Sequence, residues 1–166
     1  FGVATLEEAL DLRRQGIYRP ILVLGYTDPA AAPILASNTI TQTLFSEEYA
    51  LQLAARAARA GCVVDCHVKI DTGMSRLGFD AESDGTVPLV ETLAKSGSLH
   101  ITGIFTHFAV ADEDTPVSMD VTRLQFERFM RVCNRLQADG VEVGLRHCCN
   151  SAGTLLHPDY HLDMCR

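Results

Sequence analysis

The sequence has no apolar run approaching the roughly 18 residues that span a bilayer, and residues 1–20 lack the basic start and long apolar centre of a signal peptide. It also lacks a basic tract. With 14 Lys plus Arg against 21 Asp plus Glu, the net charge is -7, which argues against nucleic acid as a partner. There is no CxxC and no HExxH, so no metal is expected. No GxGxxG follows a strand-like run, which removes the commonest cofactor signature of an open doubly wound sheet. Lysine is scarce, occurring only at Lys69 and Lys95. The cysteines at 62, 66, 133, 148, 149 and 165 lie mostly inside apolar runs, unlike the loop cysteines of small secreted domains. Reduced, buried thiols in a cytoplasmic chain are expected.

What is present is the profile of one globular core, 47% hydrophobic and 21% charged. Strand-like and helix-like runs alternate. FGVAT reads as a strand, and LEEALDLRRQG as a helix with Thr5 as N-cap, Glu8 three places on and Gly16 as its stop. PILVLG, TITQTLFS and CVVDCHVKID read as strands, separated by helices over PAAAPILASN and EEYALQLAARAARAG. GTVPLVETLAKSG is a further helix, followed by the strand LHITGIFTHF. A long helix over SMDVTRLQFERFMRVCNRLQADG places Phe126, Phe129, Met130, Cys133 and Leu136 on one face. VGLRHCCNS and HLDMCR supply the last two of seven strand candidates. Helices end in glycine before the next strand, at Gly16, Gly61, Gly97 and Gly140.

Such alternation implies a parallel sheet, because parallel neighbours need a crossover helix. A closed (β/α)8 barrel takes eight strands and typically about 250 residues. The expectation is therefore an α/β chain in which residues 1–166 form part of a TIM-type barrel. The first strand and any appended domain lie outside it, with both ends, Phe1 and Arg166, cut within strand-like runs.

On CVVDCHVKID, Val64, Cys66, Val68 and Ile70 share one face, and Asp65, His67, Lys69 and Asp71 the other. The polar face is expected to point into the barrel. Polar groups also stand at later strand ends: His107 in THF, Asn150 and Ser151 in RHCCNS, and Arg166 in HLDMCR. Barrel enzymes build their sites at those ends. Each residue taken singly has an ordinary explanation: a structural histidine, a chain turn or helix cap at Asn-Ser, a surface charge at Arg76.

Four segments, KIDTGMSRLGF, GIFTHFAVADE, HCCNSAG and HLDMCR, occur in the order and approximate spacing found in alanine racemases. FGVATLEEALDLRRQGIYRPILVLGYTDP resembles the segment before them, so the similarity covers the whole chain. The resemblance implies a pyridoxal 5'-phosphate enzyme with an N-terminal (β/α)8 barrel and a C-terminal β domain. Such enzymes interconvert L- and D-alanine for peptidoglycan, as cytoplasmic homodimers.

The resemblance also implies roles. Arg76 would lie by the cofactor's phenolic oxygen, where a permanent cation stabilises negative charge. Lys69, carbamylated in many relatives, would hold Arg76 in place. His107 would lie beside the pyridine ring and support the catalytic tyrosine. Ser151 would bind the phosphate, with Asn150 close to the motif arginine. Arg166 would pair with the ring nitrogen, with His147 as its supporting group.

The lysine that holds the cofactor covalently and the tyrosine base match nothing in this chain, so the 166 residues alone are expected to be inactive. Taken without the resemblance, Lys69 would be nominated as the covalent lysine; the motif around it belongs instead to the arginine site. Gly78 is read as a backbone requirement. The two cysteines of HCCNSAG and Cys165 depart from the small or aliphatic residues usual there. A serine or broad-specificity racemase of the same fold, or a non-catalytic barrel that carries the cofactor, would share these motifs.

Overall fold

The computed structural model describes residues 1–166. Helix boundaries follow the local chemistry. Helix α1 (Leu6–Arg14) starts where the Thr5 hydroxyl accepts from Glu8 N at 3.3 Å and the Glu8 carboxylate accepts from Ala4 N at 2.7 Å. Helix α3 (Glu47–Ala60) is capped by Ser46, carries Glu47 and Glu48 against the positive end of its dipole, and ends on Gly61 with φ +64. It buries Tyr49, Ala50, Leu53 and Ala57, one stripe at helical spacing. Each fully buried leucine of this kind contributes about 2 kcal/mol through removal from water.

The strands are β1 (Gly2–Val3), β2 (Ile21–Val23), β3 (Ile40–Leu44), β4 (Val64–Asp71), β5 (Phe79–Asp80), β6 (Leu99–Phe105) and β7 (Leu145–His147). Between them run α1, a 3-10 turn leading into α2 (Ala32–Ser37), α3, α4 (Thr86–Ala94) and α5 (Pro116–Ala138); α6 (Ser151–Leu156) follows β7. All pairings are parallel, in the order β1-β2-β3-β4-β6-β7, with β5 beside the end of β4. This is the curved wall of a (β/α)8-type barrel, incomplete over these residues. Val64, Cys66, Val68 and Ile70 of β4 are fully buried against the helices, as the alternation predicts.

Two features differ from the expected elements. HLDMCR is not a strand: only Met164 bridges His147. Leu162 adopts a left-handed φ of +51, and the Asp163 carboxylate accepts from the backbone N and Nε of Arg146, both at 2.9 Å. Side-chain bonds replace ladder bonds there. The seventh strand is instead the short β5, which the turn-like composition around Gly78 conceals. Gly78 N donates to Phe45 O, so β5 continues the line of β3. The long helix also starts earlier than its apolar stripe, at Pro116 after the N-cap Thr115. All six cysteines are free; Cys62 and Cys165 are half-buried and the other four buried.

At the N-terminal ends of β2 and β3, Arg13 fastens the loops. Its guanidinium donates to the carbonyls of Ile17, Arg19, Asn38 and Thr39 at 2.6 to 2.9 Å. Toward the other end, the β4–β6 register shifts between Cys66 and His67, which sets Gly103 opposite His67. A Cβ on Gly103 would sit 2.5 Å from the His67 ring. Gly103→Ala is therefore expected to destabilise the fold by about 1–3 kcal/mol through overpacking. A lower urea midpoint with an unchanged slope is the expected result; an unchanged midpoint would show that the ring moves freely.

Candidate functional site

Strand β4 leads at its C-terminal end into the loop 71–78. The Asp71 carboxylate accepts from Gly73 N and Ser75 N, both at 3.0 Å, which folds the loop back and sends Arg76 over the sheet end. The loop closes on Gly78 at φ +128, where a Cβ would lie 2.7 Å from Asp71 N. Gly78 is thus a backbone requirement, as expected. His107 stands two residues past β6. Arg166 reaches the same end after its backbone N donates to Cys149 O at 3.2 Å.

Lys69, Arg76, His107 and Arg166 line one cleft of about 580 Å³, floored by Phe105 and bordered by Val3 and Leu24. An Arg166 Nη2–H donates to His107 Nδ1 at 3.0 Å. Arginine can only donate, so Nδ1 is the acceptor and the ring proton of neutral His107 sits on Nε2. Burial, then Arg166, Arg76 and Lys69, lower the pKa of His107 to about 4. Burial lowers Lys69 to about 8, with Arg76 and Arg166 adding to the shift and Asp71 opposing it. Its Nζ donates to Leu77 O at 2.7 Å. Burial, then Arg76, pull Arg166 below the ordinary guanidinium value.

No carboxylate pairs with Lys69, Arg76 or Arg166. Arg166 Nε is buried without a partner. Three basic groups thus share one partly desolvated cleft, an arrangement that chemically favours a negatively charged ligand.

The other expected residues lie apart from the cleft lining. Asn150 turns its side-chain oxygen to Gly153 N at 2.8 Å and caps α6, and Ser151 is exposed at the first position of that helix. His147 is fully buried beneath the cleft, with Nε2 3.0 Å from His67 Nδ1 and Nδ1 unpartnered. Sequence reasoning missed Phe105 as a hub. Its ring stacks on His147 at 4.7 Å and lies 5.2 Å from the Arg166 guanidinium and 6.0 Å from Lys69 Nζ. Gly103, Phe105 and His107 alternate along one face of GIFTHF, which was the available signal.

The alanine racemase N-terminal domain family matches residues 1–166. The alanine racemase of Desulfovibrio desulfuricans is 45% identical over 166 residues, covering 99% of this chain and 43% of that protein. The structure of the Clostridium difficile 630 alanine racemase in complex with cycloserine superposes with a TM-score of 0.92 at 36% identity, covering 99% of this chain and 44% of that one. A histidine racemase from Leuconostoc mesenteroides superposes with a TM-score of 0.80 at 32% identity, covering 92% and 39%. The chain thus spans less than half the length of the relatives it matches.

The buried histidines make the fold acid-sensitive. Burial lowers His67 to about 4, with Asp65 opposing; burial, His67 and Arg166 lower His147 to about 3. Unfolded, each of these and His107 protonates near about 6.5, so unfolding takes up protons below that pH. Stability is expected to fall as pH drops from about 6.5 toward 4, by up to ~1.4 kcal/mol per pH unit for each histidine. Urea midpoints measured at about pH 7, 5.5 and 4.5 check this, and a flat profile would refute it.

Proposed function

The chain belongs to the family of alanine racemase N-terminal domains, and on that premise we propose that the full-length protein is a pyridoxal-phosphate-dependent racemase that interconverts L- and D-alanine. The observation that carries the reading is the Arg166–His107 bond at 3.0 Å in a cleft shared with Arg76 and Lys69 and free of carboxylate partners. The residues fit the cofactor, whose phenolic oxygen suits the Arg76 guanidinium and whose ring nitrogen suits a donor that does not give up its proton. Pyridoxal phosphate, once bound, supplies the electron sink that makes an amino acid's α-proton removable.

The chain's own residues would then hold and bias that group. Arg166 would donate to the ring nitrogen without protonating it, a pairing that would favour return of a proton to the α-carbon. Arg76 would meet the phenolic oxygen. Ser151, with Asn150 fixing the turn before α6, would take the phosphate. His107 is fixed as the Nε2–H tautomer by Arg166 and can orient the tyrosine that the family uses as one of two bases. His147 lies under Phe105 and supports the floor on which Arg166 rests. The setting proposed for this chemistry is a cytoplasmic homodimer supplying D-alanine for peptidoglycan.

Lys69, with its pKa near 8, is substantially neutral at mildly alkaline pH, and a neutral amine adds carbon dioxide to give a carbamate and a proton. The product is an anion beside Arg76. After exchange with carbon-13 bicarbonate, the full-length protein is expected to show a carbamate carbonyl resonance that disappears in Lys69→Ala. A spectrum identical in both would assign Lys69 as a free amine.

The activity itself is tested by incubating the full-length protein and cofactor with L-alanine, L-serine and L-histidine separately, followed by chiral chromatography. D-Alanine is expected to form fastest. Faster racemisation of serine or histidine would move the reading to another specificity, an option the histidine racemase neighbour keeps open. Cofactor binding without turnover of any amino acid would favour a carrier.

A further inference from the structure

Behind the cleft, on the helix side of the sheet, lies a polar cluster that none of the roles above uses. Gln125 of α5 is 1% exposed and sits between the fully buried Thr122 and Phe129 on the helix face that packs on the sheet. A leucine would fill such a position by packing alone. The carboxamide instead makes three hydrogen bonds, using both donor hydrogens, to two segments outside its own helix. Its Oε1 accepts from Ala109 N at 2.9 Å, and its Nε2 donates to His107 O at 3.3 Å and to Thr72 Oγ1 at 3.2 Å.

Thr72, 2% exposed, opens the loop that carries Arg76. Because its hydroxyl accepts from Gln125, its own proton is free for Thr106 Oγ1, 2.8 Å away and 1% exposed. One turn along α5, Arg128 donates to Thr72 O at 3.1 Å and pairs with Glu82 at 3.1 Å.

Resting on the racemase reading of the cleft, we propose that Gln125 is a positioning residue: its carboxamide locks the Arg76 loop to the strand end that bears His107. The need for such a brace follows from the charges. Arg76 and Arg166 repel one another across a cleft lined by no carboxylate. The loop bearing Arg76 is otherwise held by its own Asp71 turn, by Arg128 at Thr72 O, by Lys69 at Leu77 O and by the short β5; its links to the strand end that bears His107 are Gln125 and the Thr72–Thr106 hydroxyl pair. Gln125 ties that loop to His107 at the backbone. Side-chain geometry at the cleft is then inherited from the Thr72 hydroxyl on one side and the His107–Ala109 backbone on the other rather than from the ligand.

Four full-length proteins test this: wild type, Gln125→Met, which keeps volume and loses all three bonds, Gln125→Glu, and Leu136→Ala, a fully buried change near the far end of α5 that serves as a control for simple destabilisation. Backbone hydrogen exchange is expected to rise about ten-fold or more in both segments 72–78 and 107–110 of Gln125→Met, and in neither segment of the control at matched denaturation midpoint. The kcat for the preferred amino acid is expected to drop about ten- to a hundred-fold in Gln125→Met, with KM changed less, as for a small misplacement of reacting groups. Gln125→Glu, whose buried carboxyl can donate only when protonated, is expected to recover activity relative to wild type as pH falls. Unchanged exchange in the two segments overturns the proposal whatever the kinetics. Raised exchange in a protein whose wild type racemises nothing leaves the brace standing and removes the racemase reading instead.

Discussion

The pairing of β4 with β6 is the constraint on which the rest of the structure depends. It fixes the inward face of His67 and Lys69, and it launches both the loop bearing Arg76 and the segment bearing His107 from neighbouring strand ends. The register shift after Cys66 is part of the design. Without it, His67 would face a residue with a side chain instead of Gly103, and the His67–His147 bond beneath Phe105 would have no room. A packing requirement deep in the sheet thereby sets the floor of the cleft.

Above that floor, electrostatics work against the fold. Three cations are gathered where burial already disfavours charge, and the protein answers by neutrality rather than by pairing. His107 is held unprotonated, the pKa of Lys69 is lowered to about 8, and Arg166 keeps its charge while borrowing the lone pair of His107. The arrangement is costly in isolation, and on the proposed reading a bound ligand would carry the missing negative charge. Neutral polar bonds through Gln125, Thr72 and Thr106 do the holding that ion pairs do elsewhere on the surface.

Much of this was legible in the chain. The alternation of Val64, Cys66, Val68 and Ile70 with His67 and Lys69 gave the two faces of β4, and helix-ending glycines gave the parallel topology; Gly16, Gly61, Gly97 and Gly140 all adopt positive φ. Arg76 and His107 stand just past β4 and β6 as expected, whereas Arg166 joins them from a segment that is not a strand. The errors have local causes. HLDMCR has a strand's composition, yet the Arg146–Asp163 bonds and the left-handed Leu162 decide its path, and neither is visible in hydrophobic pattern. Phe105 and Gln125 do not stand out in the sequence, because what distinguishes them is partners contributed by distant segments.

The two buried-end arginines illustrate how one residue type can answer to different pressures. Arg13 has its hydrogens distributed among four backbone carbonyls at the N-terminal strand ends, so its whole value is realised when the chain folds. Arg166 keeps an unpartnered buried nitrogen at the opposite end, so part of its value waits for something outside the protein. In a population of variants the first would therefore be filtered by cellular abundance, with damaged copies cleared before they act. The second, which also holds His107 and lies over Phe105, would on the proposed reading be filtered by activity as well as by abundance.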